Sequence, residues 1–148
     1  MCNWRVRVAL AALALVLALP LSAQSLPTTS PGPDAAQING APGQVSKDLY
    51  PVRFVAIDGR NIQPRDVLWL EPGRYELRVL VEIPRGLSFP RHPAETQRWR
   101  RADAQTRQEA MTIELEVEAG KTYQIRSRYN RRESKAIPFS TVLWRIED

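Results

Sequence analysis

The chain of 148 residues is predicted to fold as a small all-β domain, and three observations predict it. Side-chain character alternates with a period of two over several segments, glycine-bearing turns separate those segments, and a single proline-rich stretch interrupts them. Successive side chains of a strand point to opposite faces. In 74–83, Tyr75, Leu77, Val79, Val81 and Ile83 therefore form one apolar face, and Arg74, Glu76, Arg78, Leu80 and Glu82 form a mainly polar one. In 111–118, Met111, Ile113, Leu115 and Val117 alternate in the same way with Thr112, Glu114, Glu116 and Glu118. A helix would scatter these residues around its circumference.

The turns divide the rest. Asp58-Gly59 follows 52–57 and suits a two-residue hairpin loop, because both positions of that loop must accept positive φ. It folds 60–63 back as a short strand that Pro64 ends. Pro72-Gly73 suits a type II turn between 67–70 and 74–83, and leaves open whether Trp69 or Leu70 points inward. At Ala119-Gly120 a two-residue loop would set apolar residues opposite polar ones. A three-residue loop, Glu118-Ala119-Gly120, pairs Leu115 with Tyr123 and Ile113 with Ile125, and gives Gly120 the left-handed position. A last strand, 141–146, has Val142, Trp144 and Ile146 on one face. With 111–117 and 121–129 the expected strands number about seven, which fits a small antiparallel β-sandwich, immunoglobulin- or transthyretin-like. The interruption is 84–110. Pro84, Gly86, Pro90 and Pro93 exclude a continuous strand there, and the helix formers after Pro93 predict a short helix within an irregular insertion.

The N-terminal segment predicts export. Arg5 and Arg7 supply a positive start, 8–19 is an uncharged run of Val, Ala and Leu, Pro20 breaks it, and Ala23 offers a small residue for cleavage. The run is shorter than the roughly 20 residues that span a bilayer. Residues 1–23 thus read as a cleaved signal peptide. Cys2 precedes the apolar run, so the product is expected not to be a lipoprotein and to contain no cysteine, which excludes disulfides and thiol chemistry. Cleavage takes away two arginines and no acid, leaving 19 basic and 16 acidic residues, a net charge of +3. That mild charge on an exported chain argues against nucleic acid as a partner. Residues 24–47 hold four prolines, three glycines and no aromatic, and read as a disordered tether before a single domain at 48–148.

The string VRFVAIDGRNI, followed by LWLEPGRYELRVLV, resembles the PEGA-type domain and related small exported bacterial β-domains of unknown function. Those share a strand ending in Asp-Gly and a later Leu-x-Pro-Gly strand. The string ELEVEAGKTYQI is similar to a closing hairpin found in several such envelope proteins. Gln63-Pro64-Arg65 stands where the PEGA pattern has a Gly-x-(Thr/Ser)-Pro step. The matching residues are turn formers and core apolars, so the resemblance implies a small β-sandwich in the bacterial envelope, and it implies no catalytic residues.

Reactive constellations are sparse. His92 is the one histidine, it lies between Arg91 and Pro93, and no G-x-S-x-G motif surrounds a serine. Neither a metal-ligand spacing nor a glycine-rich phosphate cradle is present, so no cofactor is expected. Glu114, Glu116 and Glu118 share the outward face of one strand, where catalytic carboxylates would need contrasting surroundings. The more suggestive pattern mixes arginine with aromatics: Arg126, Arg128, Arg131 and Arg132 within 123–135, and Arg98, Arg100 and Arg101 around Trp99. Arginine forks bind carboxylate and phosphate bidentately and stack on rings, so these residues are candidates for binding an envelope protein or an anionic envelope glycan or lipid. The expected function is a non-enzymatic periplasmic (or secreted) binding or assembly module; the alternative is a small periplasmic hydrolase using carboxylates.

If the export reading holds, mass measurement of the protein from its native host shows Gln24 as the first residue, whereas an intact Met1 in the cytoplasmic fraction overturns it.

Overall fold

Strands with one apolar face need a second layer against which to bury it. The computed structural model describes residues 25–82, 104–130 and 138–148, and there the chain forms two facing β-sheets. Nine strands run in the order β1 (Ala36–Asn39), β2 (Leu49–Tyr50), β3 (Val52–Ile57), β4 (Arg60–Arg65), β5 (Val67–Leu70), β6 (Gly73–Val81), β7 (Thr112–Val117), β8 (Thr122–Tyr129) and β9 (Phe139–Glu147). A helix, α1 (Ala104–Ala110), precedes β7. One sheet has the order β4-β3-β6-β7; the other joins β9, β8, β1 and β5 and adds β2 beside β8. The all-β sandwich predicted from alternation is the fold observed.

The core lies between the sheets. Ala36, Ile38, Leu68, Leu70, Tyr123 and Ile125 from the five-stranded sheet meet Val52, Phe54, Ile57, Leu77, Val79 and Val117 from the four-stranded one. A smaller cluster of Tyr50, Tyr129 and Phe139 closes one end, with the Tyr50 and Phe139 rings edge to face at 5.6 Å. The alternation in β6 and β7 is met as expected: Tyr75, Leu77, Val79, Leu115 and Val117 are buried, and Arg74, Glu76, Glu114 and Glu116 are exposed. In β5 the inward residues are Leu68 and Leu70, which leaves Trp69 on the outer face.

The conformations at Asp58-Gly59 and Gly120 follow the sequence, but the turn at Pro72-Gly73 and much of the strand pairing do not. Asp58 and Gly59 take φ of 47° and 74° and join the antiparallel pair β3 and β4, as that dipeptide predicts. Gly120 takes the left-handed φ of 76°, yet β7 and β8 do not form a hairpin. β7 pairs with β6, setting Leu115 opposite Tyr75, while β8 lies in the other sheet. The register predicted between Leu115 and Tyr123 is therefore corrected: both side chains are buried in the core, approaching it from opposite layers. Pro72-Gly73 does not form the expected type II turn: Gly73 has φ of 159°, well away from the roughly +80° such a turn needs, and as the first residue of β6 it continues the chain from β5 into the other sheet. A short turn can close a hairpin or cross the sandwich with similar residues, so its chemistry alone does not say which. Pro64 does not end β4, which continues to Arg65. As an edge strand β4 can carry a residue with no N–H to donate. The helix expected in 84–110 is present at Ala104–Ala110; the remainder of that segment, through residue 103, lies outside the described residues.

The tether expected at 24–47 is contradicted. Ala36–Asn39 is a strand inside the five-stranded sheet, antiparallel to β5 and parallel to β8, with Ala36 and Ile38 fully buried. The sandwich is accordingly not wholly antiparallel, and the domain begins well before residue 48. Upstream, Thr28 bridges Leu70, and Thr29 N–H donates to Trp69 O at 2.9 Å. Proline and glycine content lowers the average burial a segment can achieve, but four residues with two small or branched apolar side chains suffice to fill a slot with hydrogen bonds on both sides.

Gly40 ends that strand where no side chain fits. A Cβ there would stand 2.1 Å from the carbonyl oxygen of Val52, while Val52 N–H donates to Gly40 O at 3.0 Å. Ser127 poses the opposite problem: its hydroxyl is fully buried between the two core clusters and has no hydrogen-bond partner. Two denaturation experiments follow. Gly40→Ala is expected to lower unfolding free energy by about 3 kcal/mol, because the backbone of β3 must move. Ser127→Ala is expected to raise it by about 1 kcal/mol, because an unsatisfied buried hydroxyl is removed with little loss of volume.

Candidate functional site

The outer face of the five-stranded sheet is set by register. One row across it reads Trp69, Gln37, Thr122 and Glu147; the next reads Val67, Asn39, Gln124 and Arg145. These side chains hold one another. Thr122 Oγ1 donates to Gln37 Oε1 at 3.3 Å, and Gln124 Nε2 donates to Glu147 Oε1 at 2.7 Å. Arg145 Nη1 approaches the same carboxylate oxygen at 3.4 Å. A bulge between Gln124 and Ile125 leaves Trp144 as the extra residue on β9, and the Lys47 ammonium sits 5.4 Å from the centroid of its ring.

Arg126 anchors this network from below. β1 pairs with β8 only as far as Gln124 and β2 only from Ser127, so the two strands leave a gap along one edge of β8. The Arg126 guanidinium fills it. Nη1 donates to Asn39 O at 2.8 Å and to Ile125 O at 2.7 Å, and Nη2 donates to Gln124 Oε1 at 3.1 Å. The residue is 3% exposed. Burial pushes its pKa below the usual arginine value, and the Glu147 carboxylate works in the opposite direction. The expectation that Arg126 contacts a partner is therefore corrected. Three of its donors go to backbone carbonyls and to Gln124.

Of the other residues predicted to bind a partner, Arg128 is on the outer face of β8, exposed and free of any ion pair among the described residues. Arg98, Trp99, Arg100, Arg101, Arg131 and Arg132 lie outside the described residues, as does His92. Sequence reasoning missed Gln37, Trp69, Gln124, Arg145 and Glu147. Each is ordinary by itself, and the one signal was the outward parity of Trp69 against Leu68 and Leu70.

The carboxylates gather on the opposite side of the molecule. Glu76 and Glu114 face each other across β6 and β7, and with Glu109 of α1 they line a cleft of about 690 Å³ whose other walls are Ala104, Gln105, Gln108 and Thr112. Arg74 Nη2 binds Glu114 Oε2 at 2.6 Å, with both side chains largely in solvent, and that contact raises the Arg74 pKa. No group of three acids, histidines or cysteines among the described residues is placed to hold a metal ion. Nor is any helix among them long and apolar enough to cross a membrane.

No known protein family, curated protein or solved structure matches this chain.

The part assigned to Arg126 predicts that Arg126→Lys lowers unfolding free energy by about 2 kcal/mol in chemical denaturation, since an ammonium cannot serve both carbonyls and the Gln124 amide. Arg128→Lys is expected to change it by less than about 0.5 kcal/mol, as for an exposed surface substitution.

Proposed function

We propose that the chain is a non-enzymatic, exported β-sandwich that binds a component of the bacterial envelope through the outer face of its five-stranded sheet. The observation that carries this reading is the set of polar side chains braced across β1, β8 and β9 on that face, in the row that begins at Trp69 and ends at Glu147 and in the adjacent row that supplies Gln124 and Arg145. Cross-strand side-chain pairs stabilise sheets in general, and here they also fix the polar groups that face outward. A set held by hydrogen bonds to one another, and from below by a buried arginine, is pre-organised, which lowers the entropy lost when a ligand is bound. The PEGA-like resemblance and the signal-like N-terminus support the compartment.

The hydrolase alternative has less behind it. Acid–base catalysis by two carboxylates works best where their surroundings differ, one apolar and one polar. Glu76 and Glu114 share a polar cleft, and Glu114 is tied to Arg74.

The test is co-sedimentation of the processed protein with envelope fragments from its host. A Trp69→Ala, Arg145→Ala double substitution is expected to weaken binding at least tenfold with little change in melting temperature. A Glu76→Gln, Glu114→Gln pair on the other sheet is expected to leave binding intact. Binding lost through the second pair and kept through the first overturns the assignment of the face.

A further inference from the structure

The geometry points to a particular ligand for this face: an uncharged, hydroxyl-rich polymer, a neutral glycan strand lying across β5, β1, β8 and β9. The inference rests on the binding reading above and names its partner. Three features of the row lead to it.

The first is the stock of free donors and acceptors. Gln37 accepts from Thr122 through Oε1, and its amide nitrogen has two N–H groups with no partner among the described residues. Glu147 accepts from Gln124 and Arg145 through Oε1, and its second oxygen has no such partner. An outward donor pair and an outward acceptor in one line suit groups that both donate and accept, as hydroxyls do. The second feature is Trp69, half-buried on the same face and opposite Gln37, offering a flat apolar ring edge or face to the C–H side of a sugar. The third is charge. Glu147, the one charged residue of the row, is paired with Arg145 of the adjacent row at 3.4 Å, so the row presents no unpaired positive charge to an anion. Arg128, a cation of this face with no ion pair among the described residues, lies six residues along β8 from Thr122, about 20 Å away at strand rise. The row itself crosses three inter-strand steps, about 14 Å, which accommodates a short run of sugar rings rather than one small molecule.

The experiment uses the protein as its host processes it, with insoluble chitin and cellulose as neutral probes and immobilised heparin as the anionic one. Retention on at least one neutral polymer is expected, and it should change less than twofold between 0.1 and 0.5 M salt. Trp69→Ala is expected to reduce that retention at least tenfold and Gln37→Ala at least threefold. Arg128→Ala should leave it unchanged, and melting temperatures should verify that each variant is folded. Retention on heparin alone, salt-sensitive and dependent on Arg128, overturns the neutral-glycan inference while leaving the face as the binding surface. Absence of retention on either neutral polymer, with envelope fragments still bound through Trp69, also overturns it. If envelope fragments themselves are not bound, the failure belongs to the broader reading.

Discussion

One edge of β8 has to serve two strands that run in opposite directions, and much of the five-stranded sheet depends on how that conflict is settled. β1 arrives parallel and pairs at 122–124; β2 returns antiparallel and pairs at 127 and 128. Between them the ladder is broken, and a broken ladder inside a sandwich leaves carbonyls without donors. Arg126 supplies those donors from a side chain. Its planar fork can reach the end of β1 and the adjacent carbonyl together, which a point charge on a flexible stem would not do as well. The cost is a desolvated cation. That cost is tolerable because the guanidinium makes three hydrogen bonds and a carboxylate, Glu147, lies within electrostatic range.

The same junction constrains the neighbouring layer. After Asn39 the chain must leave the five-stranded sheet at the point where β3 of the other sheet passes closest, and Gly40 permits that approach by having no side chain. Gly40 O accepts from Val52 and Gly40 N–H donates to Asp66 O at 2.7 Å, so one residue connects the end of β1 to the backbone of both sheets. Ser127, the first β8 residue paired with β2, is the blemish at this junction. Its side chain points into the core with its hydroxyl unsatisfied.

These arrangements explain how far the fold could be read from residues alone. Period-two alternation in 74–83 and 111–118 states which side of each strand is buried, because burial is decided residue by residue, and the structure agrees at Tyr75, Leu77, Leu115 and Val117. Asp58-Gly59 states a turn because positive φ is a local demand. Whether β7 turns back on itself or crosses to the other sheet is decided by what its edge meets in three dimensions, and Glu118-Ala119-Gly120 serves either outcome. β1 escaped notice for a related reason. Its two ladders join it to residues some thirty and eighty-five positions away, and a four-residue strand between prolines and glycines has too little length to show a period. The candidate face was less legible still. Gln37, Trp69, Thr122 and Glu147 come from four separated strands, and nothing in the spacing of an amide, an indole, a hydroxyl and a carboxylate marks them as one row until the register is known.

Arg126 shows why composition misleads about exposure. A run of arginines near tyrosines looks like a surface for anions, and the inference holds only if the guanidiniums face water. On β8, residues two apart on the same face meet different fates: Arg128 is exposed, while Arg126 is drawn under the network by the unpaired carbonyls beside it. The buried arginine acts instead on Gln124, which it holds in the orientation that lets the amide nitrogen reach Glu147. The polarity of the outer face thus descends from a backbone defect. A break in the ladder calls for a side-chain donor, that donor fixes an amide, and the amide helps fix the carboxylate at the end of the row.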